Sequence, residues 1–177
     1  FLDAMLAYPV SHRVAAQYLT NEAARGWQPN ESTIVYSEAR PKVQGESGSL
    51  ELELTSYLDE QGRLHRSSAT ERLDIDLVKQ DGQWRINNAP PGVLVSQRWF
   101  DDYVRGFELY FLDEAGNRVV PVPVYEVVGD QLATSLMTSV AIGPTGADPP
   151  RLSTAVGEVA NLRSSVPIVD GVAEVEF

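Results

Sequence analysis

The sequence contains no cysteine. This absence excludes a disulfide framework, a thiolate nucleophile and any zinc site that uses cysteine ligands, but it does not decide the compartment. Basic residues are also scarce, since 14 Lys and Arg stand against 25 Asp and Glu, for a formal net charge of -11. Phosphate backbones and anionic lipids repel so acidic a chain, so we expect no nucleic-acid partner and no direct membrane binding.

Long hydrophobic runs are missing as well. No segment approaches the roughly 20 consecutive apolar residues of a membrane-spanning helix. The chain starts at Phe1 without an initiator Met or a signal sequence, so we interpret it as a processed or excised fragment and expect any membrane attachment upstream of it. Its 177 residues are enough for one large domain or two small ones.

The first 26 residues are predicted to form two short helices and a further turn. Apolar and small residues recur there at helical spacing, with Pro9 between the two helices. Ser11 is placed to cap the second helix, and Thr20 is placed to cap the short turn that ends near Gly26. This region is therefore the helical part of the first module.

After Pro29 the hydrophobic period changes from helical to two, which is typical of half-solvated antiparallel strands. Turns are expected at 59–62 and 79–82, between strands at 33–36, 50–55, 73–77 and 83–86. Acidic residues alternate with the apolar ones, so the acids point outward and the sheet interior lacks a general base. A helical opening followed by such a curved meander resembles the α+β cone of NTF2-like, or cystatin-like, proteins.

Four residues of this first module are candidates to line a dry pocket for a small ligand. They are Trp27, Tyr36, Leu54 and Trp84. Simple core packing is the favoured interpretation of the set. In the cone that the pattern resembles, Trp84 would come from the last strand and plug the concave face, which is compatible with an ordinary core tryptophan.

A domain boundary is predicted after the Pro90-Pro91-Gly92 break, where Ser96–Val104 is interpreted as a connecting helix or turn. The predicted domains are 1–95 and 107–177, with a connecting segment at 96–106. This segment holds three aromatic residues: Trp99, Phe100 and Tyr103. Sealing the interface between the two modules is their favoured role, and an exposed patch for a partner is the alternative.

The second module is predicted to be a smaller α+β unit. Strands at 109–112 and 119–128 flank a turn, and Pro121 and Pro123 indicate that the latter strand lies at a sheet edge. A helix is expected from Leu132 to Gly143, then extended segments at 157–159 and 166–169, and an Asp-Gly hairpin at 170–171. The pattern stops on a strand, so we expect the native sequence to continue.

The sequence contains few of the residues on which catalytic and metal sites depend. Hydrolase and metal sites require convergent His, Asp, Glu, Ser or Cys, and the only histidines are His12 and His65, both with polar neighbours. We predict that both lie on the solvated surface. The sequence therefore predicts no catalytic residue, no metal site, no cofactor and no enzymatic activity.

Several short motifs occur in an order that identifies a family. In the first part these are Phe1–Met5, His12–Thr20, Gly82–Ile86 and Ala89–Gly92; in the second they are Leu109–Asp113, Leu132–Leu136, Gly143-Pro144 and Pro167–Val175. The first set resembles the opening of the LpqB-type lipoproteins of actinobacteria. The second set is similar to the GerMN domain that follows in that family. Each motif alone is weak, and their order and spacing carry the resemblance over nearly the whole chain.

The resemblance implies an NTF2-like domain followed by part of a GerMN domain. It further implies an upstream lipobox cysteine, anchoring on the outer face of the cell membrane, and a downstream β-propeller, none of which lies in this chain. The expected role is that of an accessory to an MtrAB-type two-component system in cell-envelope and division control. The expected partners are the extracellular domain of the sensor kinase and the protein's own propeller.

Two other functions stay open at this point. One hypothesis is that the cone binds a small hydrophobic or cell-wall-derived ligand, which depends on fold analogy. Alternatively, the GerMN-like half recognises peptidoglycan or associates with itself. Pro121 and Pro123 on an edge strand disfavour self-association by sheet extension.

Overall fold

The computed structural model describes residues 1–8, 12–144, 152–156 and 165–176. The chain divides into two compact units, one made of Phe1–Glu60 and Leu64–Asp102, the other of Gln61–Arg63 and Tyr103–Phe177. The helices are α1 (Leu2–Met5), α2 (His12–Ala16), α3 (Asn21–Gly26), α4 (Gln97–Tyr103) and α5 (Leu132–Ile142). The strands are β1 (Thr33–Gln44), β2 (Ser47–Leu58), β3 (Leu64–Arg66), β4 (Thr70–Gln80), β5 (Gln83–Ile86), β6 (Val93–Ser96), β7 (Val104–Leu112), β8 (Val119–Val127), β9 (Ile168–Val169) and β10 (Val172–Ala173).

The prediction of an α+β fold is confirmed. Among the described helices, none combines the length and the apolar character needed to cross a membrane.

The first unit opens with three helices of four to six residues. Helices this short are not stable alone and depend on packing, which Met5 of α1 and Ala15 of α2 provide by being buried. The predicted cap at Thr20 is confirmed, because its hydroxyl oxygen accepts a hydrogen bond of 3.1 Å from the backbone N–H of Ala23. The predicted features at Pro9 and Ser11 lie outside the described residues.

The sheet of the first unit has the order β5-β4-β2-β1-β6, with β3 paired to β2. Its alternation follows the sequence pattern: Leu50 lies opposite Leu73 across β2 and β4, and Leu52 is completely buried. The turn between β4 and β5 is also as predicted, since Asp81 and Gly82 both adopt positive φ angles, of 53° and 77°. The alternation along β2 and β4 and the turn at 79–82 were thus correctly predicted, whereas β1 extends beyond the predicted 33–36 and β3 was not predicted.

The prediction of an antiparallel meander is confirmed for β1, β2, β4 and β5, but β6, which was not predicted, pairs in parallel with β1. Val93, Leu94 and Val95 are all buried, a continuous apolar run that period-two reasoning does not identify as a strand. Gly92 makes the turn into β6 with φ +70°, and a Cβ there would lie only 2.2 Å from the carbonyl oxygen of Ser32. The proline-rich break therefore leads into the edge of the sheet rather than away from it.

Strand β1 is irregular in its first half. Its register against β2 shifts between Val35 and Tyr36 and again between Tyr36 and Glu38, as β-bulges produce. Val35 and Tyr36 are adjacent in sequence yet both buried, because the bulge breaks the simple alternation. Such bulges bend a strand, so this position curves the sheet around its core.

The second unit has an antiparallel β7–β8 pair with α5 packed against it. Strand β7 begins at Val104, immediately after α4 and five positions before the predicted start at Leu109. A buried cluster of Leu109, Phe111 and Val124 receives Leu136 and Val140 from α5. The predicted apolar stripe of this helix therefore faces the sheet.

The hairpin β9–β10 is as predicted. Asp170 and Gly171 have φ angles of 53° and 77°, the combination that a tight type I′ turn requires. Ile168, Val169 and Val172 are exposed on this ribbon, and Val166 just before it is buried. The predicted extended segment at 157–159 lies outside the described residues.

Candidate functional site

The four pocket candidates belong to different elements: Trp27 follows α3, and Tyr36, Leu54 and Trp84 lie on β1, β2 and β5. Tyr36 and Leu54 are cross-strand partners on β1 and β2, where Tyr36 is buried and Leu54 half-buried. Burial raises the pKa of the Tyr36 hydroxyl, with a smaller contribution from the negative charge of Asp3. Trp27 follows α3 instead, and its indole N–H donates a 2.9 Å hydrogen bond to the carbonyl of Gly92.

Trp84 is the clearest departure from the predicted set. It lies on β5, at one end of the sheet order, with 46% of its surface exposed, so the prediction that it plugs the concave face is wrong. Ile86 lies on the same face of β5, is buried and forms a β-bridge with Leu19. Trp84 is two residues nearer the turn. The Lys79 ammonium lies 5.1 Å from the Trp84 ring centroid, a cation–π contact at the surface.

The aromatic residues of α4 do not form an exposed patch. Trp99 and Phe100 are 7% and 8% exposed, and the Trp99 indole N–H donates a 3.0 Å hydrogen bond to the carbonyl of Leu6. Tyr103, at the end of α4, is half-buried. Their role in joining the two modules stays a prediction.

The two histidines differ in environment. His12 is half-buried with its ring 6.0 Å from that of Trp27, and burial lowers its pKa, so the prediction of a solvated surface position is wrong for this residue. His65 is on the surface as predicted: it stacks on Tyr57 at 4.7 Å and has Nε2 2.9 Å from Oδ2 of Asp59. Within the described ranges, no three His, Asp or Glu side chains are grouped to hold a metal ion.

Sequence reasoning missed a charged cluster on the face of the sheet opposite the leucines. The Arg40 guanidinium contacts three carboxylates: Nε is 2.8 Å from Glu38, Nη1 is 3.2 Å from Glu51, and Nη2 is 2.8 Å from Glu53. We call these four residues the Arg40 cluster. The signal in the sequence is the alternation of charges along β1 and β2, but it becomes a contact only through the register that places Arg40 opposite Glu51.

The Arg40 cluster is exposed and carries a net charge of minus two, from one guanidinium and three carboxylates. Hydrogen bonds to Glu53 and then Glu38 raise the pKa of Arg40 above its already high ordinary value, so it stays charged at every accessible pH. Solvent screens such a group, which therefore contributes little to stability. Its chemistry is that of a surface able to attract a basic partner.

Comparisons with known proteins agree on one family. Residues 1–101 match the model of the family described as "Lipoprotein LpqB, N-terminal domain". Proteins named lipoprotein LpqB are similar to the chain: that of Cutibacterium acnes is 35% identical over 68% of this chain and 21% of its own length. That of Thermobifida fusca is 31% identical over 82% and 26%, and that of Mycobacterium ulcerans 30% identical over 97% and 30%.

The chain thus spans 21 to 30% of the length of these relatives. No solved structure shows significant similarity to it.

Proposed function

Because the chain belongs to the LpqB lipoprotein family, we propose that it is a non-catalytic segment of an accessory lipoprotein and acts by binding other proteins. The observation that carries this proposal is the match of residues 1–101 to the family's N-terminal domain. The relatives' shared name describes attachment to lipid rather than a reaction. We propose that the whole protein is lipid-anchored at the extracytoplasmic face of the cell membrane, through a segment outside this chain.

The proposed partner is the extracellular domain of an MtrAB-type sensor kinase, whose activity in cell-envelope and division control the protein would modulate. A second contact would be with the protein's own β-propeller. The acidic balance of the chain and the exposed Arg40 cluster favour partners with a basic surface, since complementary charge accelerates and orients association.

The same family resemblance supports a finer fold assignment, in which the first unit is an NTF2-like cone and the second a GerMN-like module. The β1 bulge, which curves the sheet, is consistent with a cone. The succession of a β-hairpin, a helix and a second hairpin in the second unit follows the order of the GerMN-like motifs.

Calorimetric titration of the chain against the purified extracellular domain of the cognate sensor kinase tests the proposal. We expect saturable binding that weakens as salt rises from about 0.05 to 0.5 M, because added ions screen the acidic surface. Absence of binding in calorimetry and in a second method, at both salt concentrations, would contradict the proposed role for this segment.

A matched pair of double variants separates local from general charge. Glu38→Gln with Glu53→Gln removes two carboxylates of the Arg40 cluster, and Glu22→Gln with Glu31→Gln removes two exposed carboxylates of the same unit outside it. Both change the net charge equally. Weaker binding by the first pair alone would place the Arg40 cluster in the interface, and equal weakening would show that only total charge matters.

A further inference from the structure

The two edges of the β7–β8 pair differ in their capacity to accept another strand. In an antiparallel pair, alternate residues of each strand direct their N–H and C=O groups to the outer edge. Leu112 does so in β7, because its N–H and C=O both bond to Ser153 at 2.9 Å. By the same alternation, Gly106, Glu108 and Tyr110 direct their backbone groups to this outer edge.

In the part of the chain that the structure describes, nothing pairs with most of the outer edge of β7. Among the described residues, Gly106, Glu108 and Tyr110 have no backbone hydrogen-bond partner on that side. All three residues are exposed, and 58% of the Tyr110 surface is accessible. Unpaired backbone donors and acceptors in an exposed row are a ready template for strand addition.

The outer edge of β8 is closed by its own sequence. Pro121 and Pro123 occupy the outward-facing positions and have no N–H to donate. The next outward N–H, that of Tyr125, already donates a 2.8 Å hydrogen bond to the carbonyl of Gly62. The pair can therefore be extended at β7 but not at β8.

The side chains along β7 indicate which strand fits. Glu108 and Tyr110 share a face, and the Tyr110 hydroxyl donates a 2.9 Å hydrogen bond to the Glu108 carboxylate. A second copy paired symmetrically about Glu108 would set two carboxylates directly opposite each other, which is destabilising. The net charge of -11 opposes self-association further. A basic residue opposite Glu108 would instead form a cross-strand ion pair.

We propose that the open edge of β7, at Gly106, Glu108 and Tyr110, binds an extended segment of a protein partner by β-strand addition, with Lys or Arg opposite Glu108. In this mode main-chain hydrogen bonds provide the affinity and the alternate side chains provide the selectivity. The inference rests on the proposed function, because it names the surface and the kind of segment through which a protein partner would bind.

Amide hydrogen exchange, followed by NMR on the whole chain, tests the site. The probes are the sensor kinase's extracellular domain and a short synthetic peptide of alternating Val and Thr with one central Lys. We expect either probe to slow exchange at Glu108 and Tyr110 on the order of tenfold or more. Phe107 and Leu109, whose N–H groups face β8, serve as internal references because they are already bonded.

Two substitutions at Glu108 test backbone and charge separately. Glu108→Pro removes the outward N–H without removing a bond to β8, and we expect it to abolish protection, whereas Val119→Pro does the same at the closed edge and should leave binding intact. Glu108→Lys keeps the N–H and should shift preference from the Lys peptide to one with a central Glu. Glu114→Lys, in the exposed β7–β8 turn, matches its charge change and should not shift it.

The outcomes separate this inference from the proposed function. Binding of the kinase domain without protection at Glu108 and Tyr110 would overturn the edge site and leave the proposed function standing. Protection by the Lys peptide without kinase binding would keep the edge site and overturn the proposed partner. Protection that depends on the chain's own concentration, with dimers in sedimentation, would identify a second copy as the occupant and overturn the basic partner.

Discussion

The two units bury their apolar residues to different depths. In the first unit, four residues of β1, β2 and β6 are fully buried: Val35, Leu52, Leu94 and Val95. In the second, Leu109, Phe111 and Val124 form a small buried cluster, and the helix packed against it contains no buried residue. Depth of burial determines what a lost side chain costs. The first unit is therefore the one that point substitutions in the core should destabilise most.

The largest expected effect is a loss of stability from a substitution in the core of the first unit. Leu52→Ala removes a fully buried side chain and should lower the free energy of unfolding by about 3 to 4 kcal/mol. Leu136→Ala, the same substitution at a partly buried position of α5, should cost only about 1 kcal/mol. Urea unfolding of both variants measures the difference, and equal costs would contradict the contrast in depth.

A smaller loss of stability is expected at the turn that leads into the parallel strand β6 of the first unit. Gly92→Ala places a methyl group against the Ser32 carbonyl at a positive φ, and should cost about 2 to 3 kcal/mol. Gly116→Ala also replaces a glycine with positive φ, in the second unit's hairpin turn, but no atom lies within 4 Å of the added Cβ. Its cost should be only about 1 kcal/mol. Thermal unfolding compares the two, and a Gly92 variant as stable as the Gly116 variant would show that the clash relaxes.

The smallest expected effect is a dependence of the second unit's stability on pH. Burial in the second unit raises the pKa of Glu126 above the ordinary 4.5, so ionisation of this carboxyl disfavours the folded state. The protonated carboxyl contributes its full share of stability below the ordinary pKa, and this contribution is lost as pH rises through the raised pKa. Glu126→Gln should therefore be more stable than the parent chain at pH 7, with a gap in unfolding free energy that narrows as pH falls toward the ordinary 4.5.

Urea midpoints across this range measure the gap. Exposed Glu114→Gln is the control and should show no such trend. A gap for Glu126→Gln that stays constant with pH would mean that the substitution acts through packing rather than through ionisation.

Local patterns predicted much of this fold because they depend only on neighbours in sequence. The alternation around Leu52, the cap at Thr20 and the tight turn at Asp170 are all of this kind, and each is present. The parallel pairing of β6 was missed because it joins segments about 60 residues apart, and sequence periodicity does not encode such pairing.

Prediction of the candidate sites was limited by the same difference between local patterns and contacts across the sheet. Trp84 was expected in a core because tryptophan is usually well buried, but burial depends on what covers a strand at each point along it. The Arg40 cluster could not be predicted without the register of β1 against β2, including its bulges, because this register brings the charges together. Family membership was accessible from the sequence because the order of many weak motifs is informative even when each one is not.

The prolines of β8 also set the valency of the complex that we propose. A sheet with two open edges can accept a strand at each edge and so link many molecules end to end. Pro121 and Pro123 leave this sheet with a single edge that can accept a strand. Each chain then takes one strand, so binding should saturate at a one-to-one ratio rather than extend into fibres. In the lipid-anchored role that we propose, many copies would lie close together on a membrane, and such termination would keep them from polymerising.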